Sequence, residues 1–204
     1  MTILGLDFDN TLVRYDKLFH QLALEKSLID KSLPADKTAI RDYLRSQGQD
    51  EQFTLLQGEV YGLRILEAEP AEGMLEALLH LNEHGIRMVL VSHKTRTPYK
   101  GPVYDLHAAA VEWLKKYDFF KSDKLNWTLD QVFFENSKSE KAARIQSLKC
   151  THYIDDLPEI LELIPKNIKR ILYDPSKTNA TNPEETISHW NQLIDKKWNL
   201  IDID

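Results

Sequence analysis

The sequence predicts an α/β protein built on a doubly wound parallel sheet, and two observations lead to this fold class. Five short β-rich runs are spread along the chain, and amphipathic helical stretches lie between them. Most of the β-rich runs are near-continuous in apolar residues, as expected of strands that are covered on both faces. An alternation of such strands with helices favours a parallel sheet with helices on both sides.

The predicted elements can be placed along the chain. The strands are predicted at Thr2–Phe8, Ile86–Ser92, Gln131–Phe134, Thr151–Asp155 and Lys169–Tyr173. Helices are predicted at Glu72–His84, Tyr104–Tyr117, Ser139–Leu148 and Leu157–Ile164. Gly85 follows the first of these helices as a C-terminal cap, and Pro158 lies near the first turn of the last, where proline is tolerated.

Residues 16–69 interrupt this alternation. They contain no convincing strand and are rich in charged and helix-compatible residues, with breaks expected at Pro34 and Gly48. The segment is too long for an ordinary connection in an α/β unit. We therefore predict a helical insertion over 16–69, between the first and second strands, and an α/β core formed by 1–15 and 70–204.

Composition limits the classes of function. The 204 residues have a formal net charge of -6, which argues against nonspecific nucleic-acid binding. The single cysteine, Cys150, excludes an intrachain disulfide and a multi-cysteine metal site. The N-terminal residues lack the features of a signal peptide, and no apolar stretch approaches the ~20 residues that span a bilayer. A cytoplasmic protein without membrane partners is expected.

Two carboxylates, Asp7 and Asp9, stand at the end of the first predicted strand. Residues two apart on an extended backbone point to the same side. One carboxylate could attack phosphorus as a nucleophile, and the other could act as general acid and base. Taken alone, the pair could equally belong to a turn in which Asp9 or Thr11 caps the chain after the strand.

Three further groups follow the ends of other predicted strands. Ser92 could donate a hydrogen bond to a phosphate oxygen. Lys138, or its rival Lys141 one turn further along, could neutralise a carboxylate and phosphoryl oxygens. Asp155 and Asp156 are adjacent carboxylates suited to Mg²⁺, although one of them could simply cap the following helix. Because active sites of open α/β sheets lie at the carboxyl ends of the strands, the joint placement of the four groups predicts an active site.

With these motifs in place, the sequence resembles the haloacid dehalogenase superfamily of aspartyl phosphatases and phosphotransferases. The matching motifs are LDFDNTL around Asp7 and Asp9, MVLVS ending in Ser92, Lys138 before a helix, and YIDDLPE around Asp155. The resemblance implies a Rossmann-like catalytic core over 1–15 and 70–204, a helical cap over 16–69, an Mg²⁺ cofactor and an aspartyl-phosphate intermediate.

The resemblance also implies a role for each matching residue. Asp7 is the nucleophile and a metal ligand, and Asp9 is the acid/base, which gives its backbone carbonyl to the metal. Ser92 and Lys138 hold the phosphoryl group. Asp156 completes the metal site, with Asp155 as a second candidate ligand. The run from Lys138 to Asp156 is shorter than is usual for the family, which leaves the choice between Lys138 and Lys141 open.

These features predict a phosphatase for a small phosphorylated metabolite such as a sugar phosphate or nucleotide. Asp9 favours phosphate chemistry, because the dehalogenating branch of the superfamily lacks this residue. Candidate substrate-binding residues are Thr11, His93, Lys94 and Arg96. The alternatives are a phosphoprotein phosphatase or phosphotransferase of the same superfamily, and a catalytically silent binding domain.

Overall fold

A computed structural model describes residues 1–177 and 185–201. The chain forms two compact units. The first comprises Met1–Val13, Pro70–Lys94 and the described residues from Asp118 onward, and the second comprises Arg14–Glu69 and Thr95–Tyr117.

The first unit is built on a six-stranded parallel sheet with the strand order β5-β4-β1-β6-β7-β8. Its strands are β1 (Ile3–Leu6), β4 (Arg87–His93), β5 (Val132–Glu135), β6 (His152–Asp155), β7 (Lys169–Tyr173) and β8 (Thr186–Ile187). The two-residue strands β2 (Val13–Arg14) and β3 (Glu69–Pro70) form a separate two-stranded sheet. The sheet confirms the predicted fold class and all five predicted strands.

The helices of the first unit are α4 (Met74–Glu83), α6 (Lys138–Ser147) and α7 (Pro158–Leu163). Helices α6 and α7 pack against the sheet over a buried cluster, because both carry apolar residues on their inner sides. This cluster comprises Val89, Val91, Ile145, Cys150, Tyr153, Ile160, Leu161, Ile164, Ile168 and Leu172. Gly85 has a φ of 73° immediately after α4, a conformation that suits glycine at a helix end.

The strand order determines where the site lies. Strand β1 is flanked by β4 on one side and by β6 on the other, so that the carboxyl ends of these three strands are neighbours. Parallel strands end at the same edge of the sheet. The side chains that follow β4, β1 and β6 therefore converge.

The second unit is helical. It contains α1 (Asp16–Glu25), α2 (Lys37–Ser46), α3 (Asp50–Tyr61) and α5 (Leu106–Lys116). Its interior includes the stacked rings of Phe19 and Phe53, whose centroids lie 5.7 Å apart. The predicted breaks at Pro34 and Gly48 fall between α1 and α2 and between α2 and α3.

The division of the chain differs from the prediction in two segments, 14–15 and 95–117. Residues 95–117 were predicted to belong to the core, but they cluster with the second unit. The physical reason is the packing of α5, whose Trp113 is buried and donates its indole N–H to the Ala68 carbonyl at 2.9 Å.

Within the described residues, no helix is long and apolar enough to cross a membrane.

The buried thiol of Cys150 gives a first testable prediction. Cys150 is only 4% exposed, and burial raises the pKa of its thiol to about 11. Since the thiolate is the reactive form, we expect a thiol reagent such as DTNB to modify the folded protein far more slowly than the urea-unfolded chain. Equal rates for the folded and unfolded protein would contradict this burial.

Candidate active site

Asp7 directly continues β1 and is 4% exposed. Its backbone N–H donates to the Ile154 carbonyl at 3.0 Å, which extends the pairing between β1 and β6 to the site. Its Oδ1 accepts a hydrogen bond from the Ser92 hydroxyl at 3.0 Å and another from Lys141 Nζ at 2.6 Å. The carboxylate is therefore fixed from two neighbouring elements of the same unit.

A tight turn follows the aspartate pair. Asn10 has a φ of 60°, and the Phe8 carbonyl accepts hydrogen bonds from the backbone N–H groups of Leu12 and Val13. Asparagine tolerates this left-handed conformation better than most residues. The turn brings the buried Thr11 hydroxyl to 3.3 Å from Asp7 Oδ2, so Thr11, a predicted substrate-binding residue, lies against the nucleophile candidate itself.

Lys141 is the central cation of the site. Its Nζ lies 2.6 Å from Asp7 Oδ1 and 2.6 Å from Asp155 Oδ2, and its side chain is 2% exposed. Burial opposes the charge on Lys141, but the carboxylates of Asp7 and Asp155 outweigh it and raise the pKa of the ammonium group. Lys141 is thus held in its charged form between two carboxylates.

The structure places Lys138 and Lys141 on different sides of α6. Lys138 is the first residue of α6 after the N-cap Ser137, and its Nζ pairs with Glu159 at 2.7 Å on the exposed side of the helix. Lys141 lies one turn further along and shares the buried face of α6 with Ile145. The side chain that reaches Asp7 is therefore that of Lys141.

Three carboxylates form a cluster that could hold a metal ion. Asp7, Asp155 and Asp156 each offer an oxygen, and these oxygens lie within 4.8 Å of one another. Asp155 already accepts hydrogen bonds at both oxygens, from Lys141 at 2.6 Å and from the Leu157 backbone N–H at 2.9 Å. Burial, together with the charge of Asp7, raises the pKa of the Asp155 carboxyl, while Lys141 acts against this rise.

The composition of the cluster fits a hard divalent cation. Three carboxyl groups, those of Asp7, Asp155 and Asp156, lie together with the ammonium group of Lys141. Oxygen donors in this number and spacing suit Mg²⁺, which binds through carboxylates and keeps several waters.

The carboxylate of Asp9 forms an ion pair with Lys94, a residue that the sequence predicts to bind substrate. Lys94 was predicted to contact substrate, but its Nζ lies 2.8 Å from both Asp9 Oδ1 and Asp9 Oδ2. The side chain of Lys94 is 3% exposed and that of Asp9 is 23% exposed. Sequence reasoning missed this ion pair, although Ser92 and Lys94 are two residues apart, as are Asp7 and Asp9.

The other two candidate substrate-binding residues make their hydrogen bonds away from the carboxylate cluster. A ring nitrogen of His93 lies 3.2 Å from the Asn136 carbonyl oxygen. Arg96 belongs to the second unit, where its guanidinium group donates to Asp105 at 3.0 Å. Their predicted contacts with substrate remain predictions.

Comparison with known proteins gives one related sequence and several similar folds. No family model matches the chain. The chain is 26% identical over 200 residues to a protein of Oceanobacillus iheyensis that is provisionally named a nucleotidase, covering 95% of this chain and 97% of the relative.

Two solved structures illustrate the likeness in fold. A haloacid dehalogenase-like hydrolase from Burkholderia xenovorans, also provisionally named, has a TM-score of 0.56 at 17% identity, covering 97% of this chain and 98% of its own. A dehalogenase solved with an intermediate complex has a TM-score of 0.60 at 10% identity, covering 100% and 98%. The chain therefore has the fold of the haloacid dehalogenase superfamily, as its sequence motifs predict.

Proposed function

We propose that this chain is an Mg²⁺-dependent phosphomonoester hydrolase that acts on a small phosphorylated metabolite through an aspartyl-phosphate on Asp7. The observation that carries the proposal is the setting of Asp7. Its carboxylate is buried at the end of β1 and accepts hydrogen bonds from Ser92 and Lys141. It lies beside two further carboxylates that suit a divalent ion.

The residues of the chain account for each step of this reaction. A carboxylate oxygen of Asp7 forms a bond to phosphorus while the ester P–O bond breaks, and the leaving oxygen takes a proton from Asp9. Asp9 then takes a proton from a water molecule, whose oxygen bonds to phosphorus as the bond to Asp7 breaks. Inorganic phosphate is released, the Asp7 carboxylate is restored, and Asp9 again carries the proton with which it began the cycle.

Positive charge and hydrogen-bond donors support the phosphoryl group. Lys141 and Ser92 already lie at Asp7, where they can also face the charge that develops on the phosphoryl oxygens. We propose that Asp7, Asp156 and, more weakly, Asp155 hold the Mg²⁺, since both oxygens of Asp155 already accept hydrogen bonds. When bound, the ion supplies positive charge that offsets the negative charge of nucleophile and substrate.

The proposal favours phosphate chemistry over carbon–halogen cleavage. The similarity to a dehalogenase concerns the fold alone, and folds of this type host several chemistries. Asp9 provides the proton that a phosphate ester needs on its leaving oxygen.

Among phosphate esters, nucleoside monophosphates are the first substrates to test, because the related sequence is named a nucleotidase. We further propose that the second unit serves as the substrate-selecting cap.

The test is the release of inorganic phosphate from a panel of nucleoside monophosphates and sugar phosphates by the purified protein. We expect turnover of at least one metabolite with Mg²⁺, and a fall to background when EDTA removes the metal. Higher activity on phosphoproteins than on the whole panel would favour the protein phosphatase alternative. No turnover, together with no binding of the phosphoryl mimic BeF₃⁻, would favour a catalytically silent binding domain.

A further inference from the structure

Lys94 and Asp9 form an ion pair that the steps above do not use. The geometry points to Lys94 as a positioning residue that holds the Asp9 carboxyl group in place for proton transfer to the leaving group. This inference rests on the proposed phosphatase function. It assigns Lys94 a role different from the contact with substrate that the sequence predicts.

The pair extends a regular arrangement of the sheet edge. Ser92 contacts Asp7 and Lys94 contacts Asp9, and both pairs are separated by 85 positions in the sequence. The two contacts join the residues that follow β1 to the carboxyl end of β4, two positions apart on each segment. The first contact holds the nucleophile, and the second holds the acid/base.

The backbone of Lys94 is fixed as firmly as its side chain. Its N–H donates to the Glu135 carbonyl at 3.0 Å, which continues the pairing of β4 with β5 by one residue. Its Nζ lies 5.4 Å from the centroid of the Phe8 ring, a cation–π distance. The buried ammonium group of Lys94 therefore contacts Asp9 from a backbone position that is hydrogen-bonded to β5.

Lys94 Nζ lies 2.8 Å from each of the two carboxyl oxygens of Asp9, so it contacts both oxygens equally. An ammonium group between both oxygens fixes the plane of the carboxyl group. When one oxygen carries the proton for the leaving group, the other oxygen still accepts from Lys94. Small errors in the placement of a proton donor cost rate, because proton transfer requires a well-formed hydrogen bond to the leaving oxygen.

A positioning role predicts an effect that depends on the leaving group. An alkyl phosphate needs a proton from Asp9 as its ester bond breaks, whereas p-nitrophenolate departs without one. The ratio kcat/KM reports the steps up to departure of the leaving group. We expect Lys94→Met to lower kcat/KM about 100-fold for an alkyl monophosphate from the metabolite panel, within the range of general acid catalysis, but less than about 5-fold for p-nitrophenyl phosphate.

A contact between Lys94 and the phosphoryl group predicts a different pattern. Both esters carry the same phosphoryl group, so both would lose kcat/KM equally, and such equal losses overturn the inference. Absence of Mg²⁺-dependent turnover of either ester by the unmodified protein overturns the inference together with the proposed phosphatase function. Turnover by the unmodified protein with equal losses in the variant overturns the inference alone.

A double variant keeps the test valid if Lys94→Met does not fold. Asp9→Asn combined with Lys94→Met removes both charges of the ion pair together. If Lys94 acts through Asp9, the double variant has the same kcat/KM for the alkyl phosphate as Asp9→Asn alone, within about 3-fold. A further tenfold loss in the double variant overturns the inference.

Discussion

Lys141→Met is expected to lower kcat/KM of Mg²⁺-dependent phosphate release by about 1000-fold, the upper end of the range for loss of one preorganised electrostatic group. The side chain of Lys141 lies 2.6 Å from both Asp7 and Asp155. Methionine keeps most of its length but provides neither charge nor donor. The nucleophile would then lie beside another buried carboxylate without the cation that separates them.

The same change is expected to destabilise the fold. Removing one partner of a buried charge network leaves uncompensated charge and typically costs about 3–5 kcal/mol of unfolding free energy. Urea denaturation followed by tryptophan fluorescence measures this loss, and the activity is assayed where the variant is still folded. A loss of activity without the loss of stability would show that Lys141 is not the partner of both carboxylates in the resting protein.

Lys138→Met is the matched control, since it makes the same chemical change on the same helix. Lys138 forms an exposed pair with Glu159, and such pairs contribute about 0–1 kcal/mol. We expect its kcat/KM to stay within about 3-fold of the unmodified protein. A larger effect of Lys138→Met than of Lys141→Met would restore the preference that the sequence alone suggested.

The choice between these lysines illustrates what the sequence could and could not predict. The strands were predictable because fully covered parallel strands are near-continuous in apolar residues, as in Ile3–Leu6 and Arg87–His93. The side chain that enters the site depends on the helix start. Ser137 caps α6 by accepting from the Glu140 N–H, so Lys138 falls in the outward first turn and Lys141 on the buried face with Ile145.

Pairs across the sheet were harder to predict than the strands that form them. The contact between Lys94 and Asp9 requires the relative register of β1 and β4, which pair Leu6 with Leu90. That register is a property of two distant segments and has no local signal. The placement of residues 95–117 in the second unit likewise depends on the long-range packing of Trp113. The helix within this segment, α5, could be predicted from local periodicity.

Asp7→Asn is expected to lower phosphate release by at least about 10,000-fold, equivalent to about 5.5 kcal/mol of transition-state stabilisation. The amide has nearly the same shape as the carboxylate, and its oxygen can still accept hydrogen bonds from Ser92 and Lys141. It is a poor nucleophile and a weaker ligand for a divalent ion. The variant should therefore fold but form no aspartyl-phosphate, which mass spectrometry of acid-quenched protein measures directly.

Thermal unfolding separates this loss of chemistry from a loss of structure. Without metal, Asp7→Asn should unfold at a temperature equal to or above that of the unmodified protein, because it removes repulsion between the buried carboxylates of Asp7 and Asp155. Saturating Mg²⁺ stabilises a protein that binds it by about 2.7 kcal/mol at 100 times Kd. We expect this stabilisation in the unmodified protein and a much smaller one in Asp7→Asn.

Asp174→Asn provides the matched control for this variant. Asp174 is a carboxylate just after strand β7, 3% exposed, that accepts a hydrogen bond from the Ser176 hydroxyl at 2.8 Å and lies outside the three-carboxylate cluster. The same change there should leave turnover within about 3-fold and the Mg²⁺ stabilisation intact. Turnover by Asp7→Asn within tenfold of the unmodified protein would exclude Asp7 as the nucleophile. Inactivity combined with full Mg²⁺ stabilisation would instead assign the ion to Asp155 and Asp156, because these two carboxylates alone remain in the cluster.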